Sequence, residues 1–275
     1  MALYRDMDRA RLDAAYNNGA AVKERDAIIA DWNARSVRMR ERPGAELDIA
    51  YGAAPRERLD LFLAAEPEAP TLVFIHGGYW QMNAKEGFSF LAEGPLAHGI
   101  NVALLGYTLA PEASLDRIVA EIRHGVQFLA AHLDDRGADP ARLYVSGWSA
   151  GGHLTAMTMP LRAVAGGLAI SGLFDLEPIR LCYLNEKLGL DIAETERNSP
   201  VLHLPPMAGE LIVTYGTNEL PELQRQSVEY AQAWAEQGLP GELLPIDGAN
   251  HFTILEGLAS PEGALTRALL RLVAD

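Results

Sequence analysis

Two stretches of this chain, TLVFIH (71–76) and NVALLGY (101–107), are continuous apolar runs. Such runs fit strands buried on both faces of a parallel sheet, where no position faces water. LYVSG (143–147), GLAIS (167–171), LIVTY (211–215) and GELLPI (241–246) extend the series. Before them, LDIAYG (47–52) and LDLFL (59–63) alternate in polarity on either side of Pro55 and predict a hairpin-like opening. Between the later runs lie helical patterns at about 84–98, 115–135, 150–160, 222–237 and 261–273. The clearest carries Ile118, Ile122, Val126, Leu129 and Leu133 at three- and four-residue steps, with Ser114 placed to cap its start. Strands alternating with helices predict an α/β fold: an eight-stranded, mostly parallel sheet with helices on both faces.

No repeat or low-complexity linker divides the 275 residues, so one domain is expected. Residues 1–40 are helical and polar in character, with Tyr16 and Trp32 as apolar points and no place in the sheet. They are expected to form a lid over the site. Residues 173–205 lack a strand pattern and are expected to form a small cap-like insertion. The formal net charge of −14 argues against a nucleic-acid or anionic-membrane partner. With no long apolar segment, no signal-peptide pattern and one cysteine, Cys182, a cytoplasmic location is the expectation. A small-molecule substrate is the expected partner, and a homodimer is compatible with such a chain.

In sheets of this kind ligands bind beyond the carboxyl ends of the strands. The informative residues follow strands here. Gly147-Trp148-Ser149-Ala150-Gly151 lies between LYVSG and a helical stretch, the strand–turn–helix context that a G-x-S-x-G nucleophile elbow requires. This makes Ser149 the candidate nucleophile of an α/β-hydrolase fold. Ala150, at a helix start, has an N–H free to meet an anion. His76-Gly77-Gly78-Tyr79-Trp80 follows TLVFI. Its paired glycines let backbone N–H groups approach a developing oxyanion, so Gly77, Gly78 and Ala150 are the expected donors. Tyr79, Trp80 and Trp148 are expected to put aromatic surface beside the substrate.

His251, in the loop after GELLPI, has the reach of a general base, and the acid must lie between Ser149 and His251 in chain order. Asp175, Glu219, Glu222 and Asp247 are candidates. Glu219 occupies the loop after LIVTY, where a carboxylate can orient an imidazole. No cluster with metal-ligand spacing is visible, and neither a metal nor a cofactor is expected.

Taken together, HGGYW (76–80), GWSAGGH (147–153), ISGLFDLEPI (170–179), GTNELPELQRQS (216–227), NHF (250–252) and YNNGAAV (16–22) resemble bacterial arylformamidase-like, or kynurenine formamidase-like, α/β-hydrolases. These are relatives of the hormone-sensitive-lipase esterases. The resemblance spans nearly the whole chain. It implies cofactor-free hydrolysis of N-formyl-kynurenine or small aryl esters, and it places the acid at Glu219. Two positions depart from the pattern. Glu219-Leu220 stands where the family loop has Asp-Ser, and Thr108 stands where related esterases commonly carry Arg. A general carboxylesterase and a non-catalytic ligand-binding homologue are the alternatives.

Overall fold

The computed structural model describes residues 2–274. Eight strands form one sheet: β1 (Glu46–Ala50), β2 (Arg58–Phe62), β3 (Ala69–Ile75), β4 (Asn101–Leu105), β5 (Ala138–Trp148), β6 (Gly166–Ile170), β7 (Glu210–Gly216) and β8 (Gly241–Ile246). Their spatial order is β1-β2-β4-β3-β5-β6-β7-β8. β1 and β2 pair antiparallel, the hairpin-like opening expected around Pro55, and β2 meets β4 antiparallel as well. Every later pair is parallel. β3 and β4 are buried at every position, as their unbroken apolar runs require.

Helices cover both faces. Before the sheet come α1 (Arg9–Ala15), α2 (Asn18–Ala21) and α3 (Arg25–Arg40). Between strands lie α4 (Glu93–Leu96), α5 (Leu115–His132), α6 (Ala150–Thr158), α7 (Glu177–Leu181), α8 (Asn185–Leu188), α9 (Ile192–Arg197) and α10 (Pro221–Glu236). After β8 follow α11 (Glu256–Ala259) and α12 (Ala264–Ala274). Ser114 Oγ caps α5 by accepting from Arg117 N. The stretch expected as a helix over 84–98 is mostly a 3-10 helix, Lys85–Ala92, with α4 as its only α-helical turn. Residues 173–205 fold as the short helices α7, α8 and α9 with no strand between them.

Two apolar cores flank the sheet. One packs α5, α6 and α10 against one face with Leu12 and Tyr16 of the N-terminal segment. The other gathers Trp32, Phe88, Phe90, Trp148, Phe252 and the apolar side of α12. A buried charge cluster ties the end of α3 to the sheet. Asp60 of β2 meets both Arg40 and Lys85 Nζ, the latter at 2.7 Å. Lys85 Nζ also contacts Asp48 at 2.6 Å and Glu86 at 2.9 Å. Among the described residues no helix is long and apolar enough to cross a membrane.

Candidate active site

Strand β5 ends at Trp148, and Ser149 turns the chain into α6 with φ 58° and ψ −117°. This is a costly backbone for a non-glycine residue, and the surroundings hold it in place. Ser149 N donates to the Ile170 carbonyl at 2.8 Å and its own carbonyl accepts from His153 N at 3.1 Å. Gly151 must be glycine, because a Cβ there would strike the Ile75 carbonyl of β3. The turn therefore holds Ser149 at the carboxyl end of the central strand.

The loop after β3 packs directly on this turn. A Cβ at Gly77 would lie 2.6 Å from the Trp148 carbonyl oxygen and 3.0 Å from Ser149 Cβ. Only glycine lets the two backbones come so close. Gly78, at φ 113°, lines the same cavity as Ser149. Ala150 is the first residue of α6, so its N–H has no acceptor inside the helix. Gly77, Gly78 and Ala150 thus surround Ser149 with backbone that can turn N–H groups toward an oxyanion.

His76 does not reach the cavity. Its Nδ1 donates to the Gly77 carbonyl at 2.8 Å and its ring stacks on Tyr107 at 4.3 Å between centroids. Burial pulls its pKa down to about 4, so it is neutral and organises the loop.

At the same end of the sheet, toward its β8 edge, Glu219 follows β7 and His251 follows β8. Glu219 Oε2 lies 2.7 Å from His251 Nδ1. Its other oxygen accepts from Ser171 Oγ at 2.5 Å and from Gly216 N at 2.7 Å. Both carboxylate oxygens are engaged and the group is buried, so it has one orientation. The three rival carboxylates are committed elsewhere. Asp175 accepts from Tyr4 Oη at 2.6 Å, Glu222 from Arg225 and from Tyr16 Oη, and Asp247 from Thr217 Oγ1 at 3.4 Å.

Ser149 and His251 line a single cavity of about 570 Å³. Its apolar wall is built by Trp32, Phe88, Trp148 and Phe252, with Ile29 beside them. Trp32 stands edge-on to Trp148, 5.8 Å between centroids. Trp148 and Tyr79 both border the cavity, as expected. Trp80 does not, which corrects its expected substrate contact. It is fully buried behind the loop, edge-on to His153 with centroids 5.0 Å apart. The reason is local: Tyr79 and Trp80 take consecutive positive φ values, 49° and 57°, so the chain coils and carries the indole inward.

The N-terminal segment supplies the rest of the wall. Asn17, Asn18, Gly19, Arg25, Ile29, Trp32 and Asn33 all border the cavity. Tyr16 does not; it is buried, and its hydroxyl bridges Glu222 and Gln226. Asn18 and Tyr79 join the segment to the glycine loop. Asn18 Nδ2 donates to Tyr79 Oη at 2.9 Å, and Tyr79 Oη donates to the Tyr16 carbonyl at 2.7 Å. Arg25 and Phe88 border the cavity without any motif to announce them, while Asn18, Ser171 and Phe252 lie within the quoted motifs with no role expected of them there. Cys182 is buried, which pushes its thiol up to about 11 and keeps it protonated. Among the described residues, no three His, Cys, Asp or Glu side chains gather as a metal site.

Comparison with known proteins agrees with this architecture. The BD-FAE family model matches residues 59–166. The kynurenine formamidase of Danio rerio is 31% identical over 242 residues, covering 82% of this chain and 81% of the fish protein. An isoprenylcysteine alpha-carbonyl methylesterase of Arabidopsis thaliana is 34% identical over 113 residues, 40% of this chain and 26% of its own. Among solved structures, a Silicibacter protein crystallised as a thioesterase candidate superposes with a TM-score of 0.85 at 30% identity, covering 94% of this chain and 98% of its own. At 31% identity over 82% of its length to the fish enzyme, and with the eight-stranded, mostly parallel sheet described above, the chain belongs to the kynurenine formamidase family of α/β-hydrolases.

Proposed function

We propose that this protein is a serine hydrolase that cleaves small aryl formamides, of the N-formyl-kynurenine kind, or aryl esters. The observation that carries the reading is the 2.7 Å contact between Glu219 Oε2 and His251 Nδ1 beside the cavity that Ser149 lines. An ionised Glu219 can only accept, so Nδ1 carries the proton and Nε2 keeps its lone pair. Nε2 is then the atom that takes the Ser149 proton as Oγ attacks the carbonyl. Backbone N–H groups of Gly77, Gly78 and Ala150 receive the oxyanion. The imidazolium returns its proton to the leaving amine or alcohol as the carbon–nitrogen or carbon–oxygen bond breaks. Water, deprotonated by the same nitrogen, attacks the acyl-enzyme and releases the acid. Glu219 stabilises the imidazolium in both halves.

The aromatic wall of Trp32, Phe88, Trp148 and Phe252 supports a planar leaving group. The name of the fish relative supports the formamide over the ester. Residues 16–33 act as a fixed cover rather than an open flap, supported by the Asn18–Tyr79–Tyr16 hydrogen bonds and the Arg40–Asp60 pair. The test compares kcat/KM for N-formyl-kynurenine with that for acetyl and butyryl aryl esters and an aliphatic ester, alongside fluorophosphonate labelling of Ser149. Labelling with aryl formamide preferred is expected. A preference for medium-chain aliphatic esters indicates a general esterase. Folded protein that neither labels nor turns over either class would make it a binding homologue.

A further inference from the structure

The cavity is lined by polar amides, aromatic rings and glycines, and among the described residues one lining side chain carries a permanent charge: Arg25. That charge is positive in a chain of net −14. Arg25 opens α3, and the cavity-facing stripe of that helix is Arg25, Ile29, Trp32 and Asn33, at steps of four, seven and eight. The guanidinium therefore stands one turn beyond the aromatic wall, along the same helix face. The N-terminus of this 16-residue helix has no side-chain cap, so its positive end adds to the field.

The guanidinium is half engaged. Nε and Nη2 both donate to one oxygen of Asp26, at 2.9 Å and 2.7 Å. Among the described residues Nη1 meets no acceptor. Asp26 is largely exposed and adjacent in sequence. A pair of this kind contributes little to stability, so it does not explain a cation at the cavity wall. An arginine with a free N–H edge, beside aromatic surface and otherwise surrounded by an acidic protein, is suited to a carboxylate.

Resting on the serine-hydrolase reading above, we propose that Arg25 receives a carboxylate carried by the substrate away from the scissile carbonyl, and that it makes the enzyme selective for anionic aryl amides and esters over neutral ones. The bulk charge of the protein repels such substrates, and Arg25 supplies the local attraction that overcomes it. Asp26 competes for the same guanidinium and weakens it.

The experiment uses a matched pair of formanilides with identical acyl and aryl groups, one bearing a side-chain carboxylate and the other the corresponding primary carboxamide. In the wild type, kcat/KM for the anionic member should exceed that for the neutral one by on the order of tenfold to a hundredfold, mostly in KM, the range for one charge-assisted hydrogen bond. The preference should shrink as salt rises, because the site opens to solvent. Arg25→Gln should bring the ratio to about one, Arg25→Lys should restore part of it, and Asp26→Asn should increase it. No preference in the wild type, or a preference that survives Arg25→Gln or is insensitive to Asp26→Asn, overturns the proposal. The wild-type ratio and its salt dependence decide the matter even if an Arg25 variant folds poorly. Ser149→Ala that hydrolyses the neutral member at near the wild-type rate would defeat the serine-hydrolase reading instead, and is distinguishable from any of these results.

Discussion

The indole nitrogen of Trp148 donates to the backbone carbonyl of His251 at 2.7 Å, and its ring lies 4.8 Å from the imidazole. The residue before the candidate nucleophile thus holds the loop that carries the candidate base. Strand β5 and the loop after β8 are separated by two strands in the sheet, yet one side chain ties them at the site.

Trp148→Phe should keep the ring and lose that tie. A buried carbonyl left without its donor costs about 1–3 kcal/mol of stability. A base displaced by a fraction of an ångström should lower kcat by roughly tenfold or more. Chemical denaturation and steady-state kinetics on one aryl substrate measure both. A drop in stability with kcat unchanged would show that the tie is structural only.

Ser149→Ala and Glu219→Gln test the catalytic roles. Ser149→Ala should fold normally and retain only residual hydrolysis, roughly 10³–10⁴ above water. Glu219→Gln should lose about 10⁴ in kcat, as the corresponding acid-to-amide change does in serine proteases. The Ser171 hydroxyl and Gly216 N–H that now meet an anion would face an amide. Asp175→Asn, Glu222→Gln and Asp247→Asn should each stay within about tenfold of wild type. A crippled Asp175→Asn beside an active Glu219→Gln would move the acid to the loop after β6.

Tyr79→Phe removes the hydroxyl that both accepts from Asn18 and donates to the Tyr16 carbonyl. The cover over the cavity should loosen. Amide hydrogen exchange across residues 16–22 should speed up, and KM should rise more than kcat falls. Unchanged exchange in that segment would mean that its other contacts, the Tyr16 hydroxyl on Glu222 and Gln226 among them, hold it without the Tyr79 hydroxyl.

Asp60→Asn leaves Lys85 and Arg40 without their shared buried partner and should cost about 3 kcal/mol, the lower end for removing one member of a buried ion pair. Replacing Asp60 by Leu and Lys85 by Met together should cost less than the sum of the single changes, because Asp60 and Lys85 leave as a pair and only Arg40 still loses its partner. Additive losses in a double-mutant cycle would rule out coupling between them.

Stability should fall in mild acid. His76 and His153 are buried, and burial brings each pKa down to about 4 from 6.5. Unfolded chains take up these protons below pH 6.5 while the folded protein does not, so the contribution is complete above that value and is lost as pH falls toward 4. Each group should steepen the decline by about 1.4 kcal/mol per pH unit within the window. Urea midpoints from pH 7.5 to 4.5 measure the slope. His153→Gln should flatten it by one proton; an unchanged slope would mean that His153 is not protected from protonation.

Short-range physics alone determined much of this protein. The apolar runs at 71–75 and 101–105 pointed to doubly buried strands, and G-W-S-A-G after one strand and before a helix pointed to a tight turn. Periodicity and glycine sterics act over a few residues, so they are written where they operate. Tertiary structure decided the rest. Four carboxylates lay within chain reach of His251, and position in the sheet left Glu219 facing it, while Asp175 turns to Tyr4, Glu222 to Arg225 and Tyr16, and Asp247 to the Thr217 hydroxyl. Trp80 and Tyr79 are neighbours in one motif, yet two successive left-handed residues sent one into the core and left the other on the cavity. Arg25 and Trp32 carry no local signature, because they border the site only once α3 is packed on the rest of the chain, through Arg40 on Asp60 and through Trp32 and Arg35 on Glu256. Contacts between distant segments depend on how the whole chain packs, and no window of neighbouring residues contains that information.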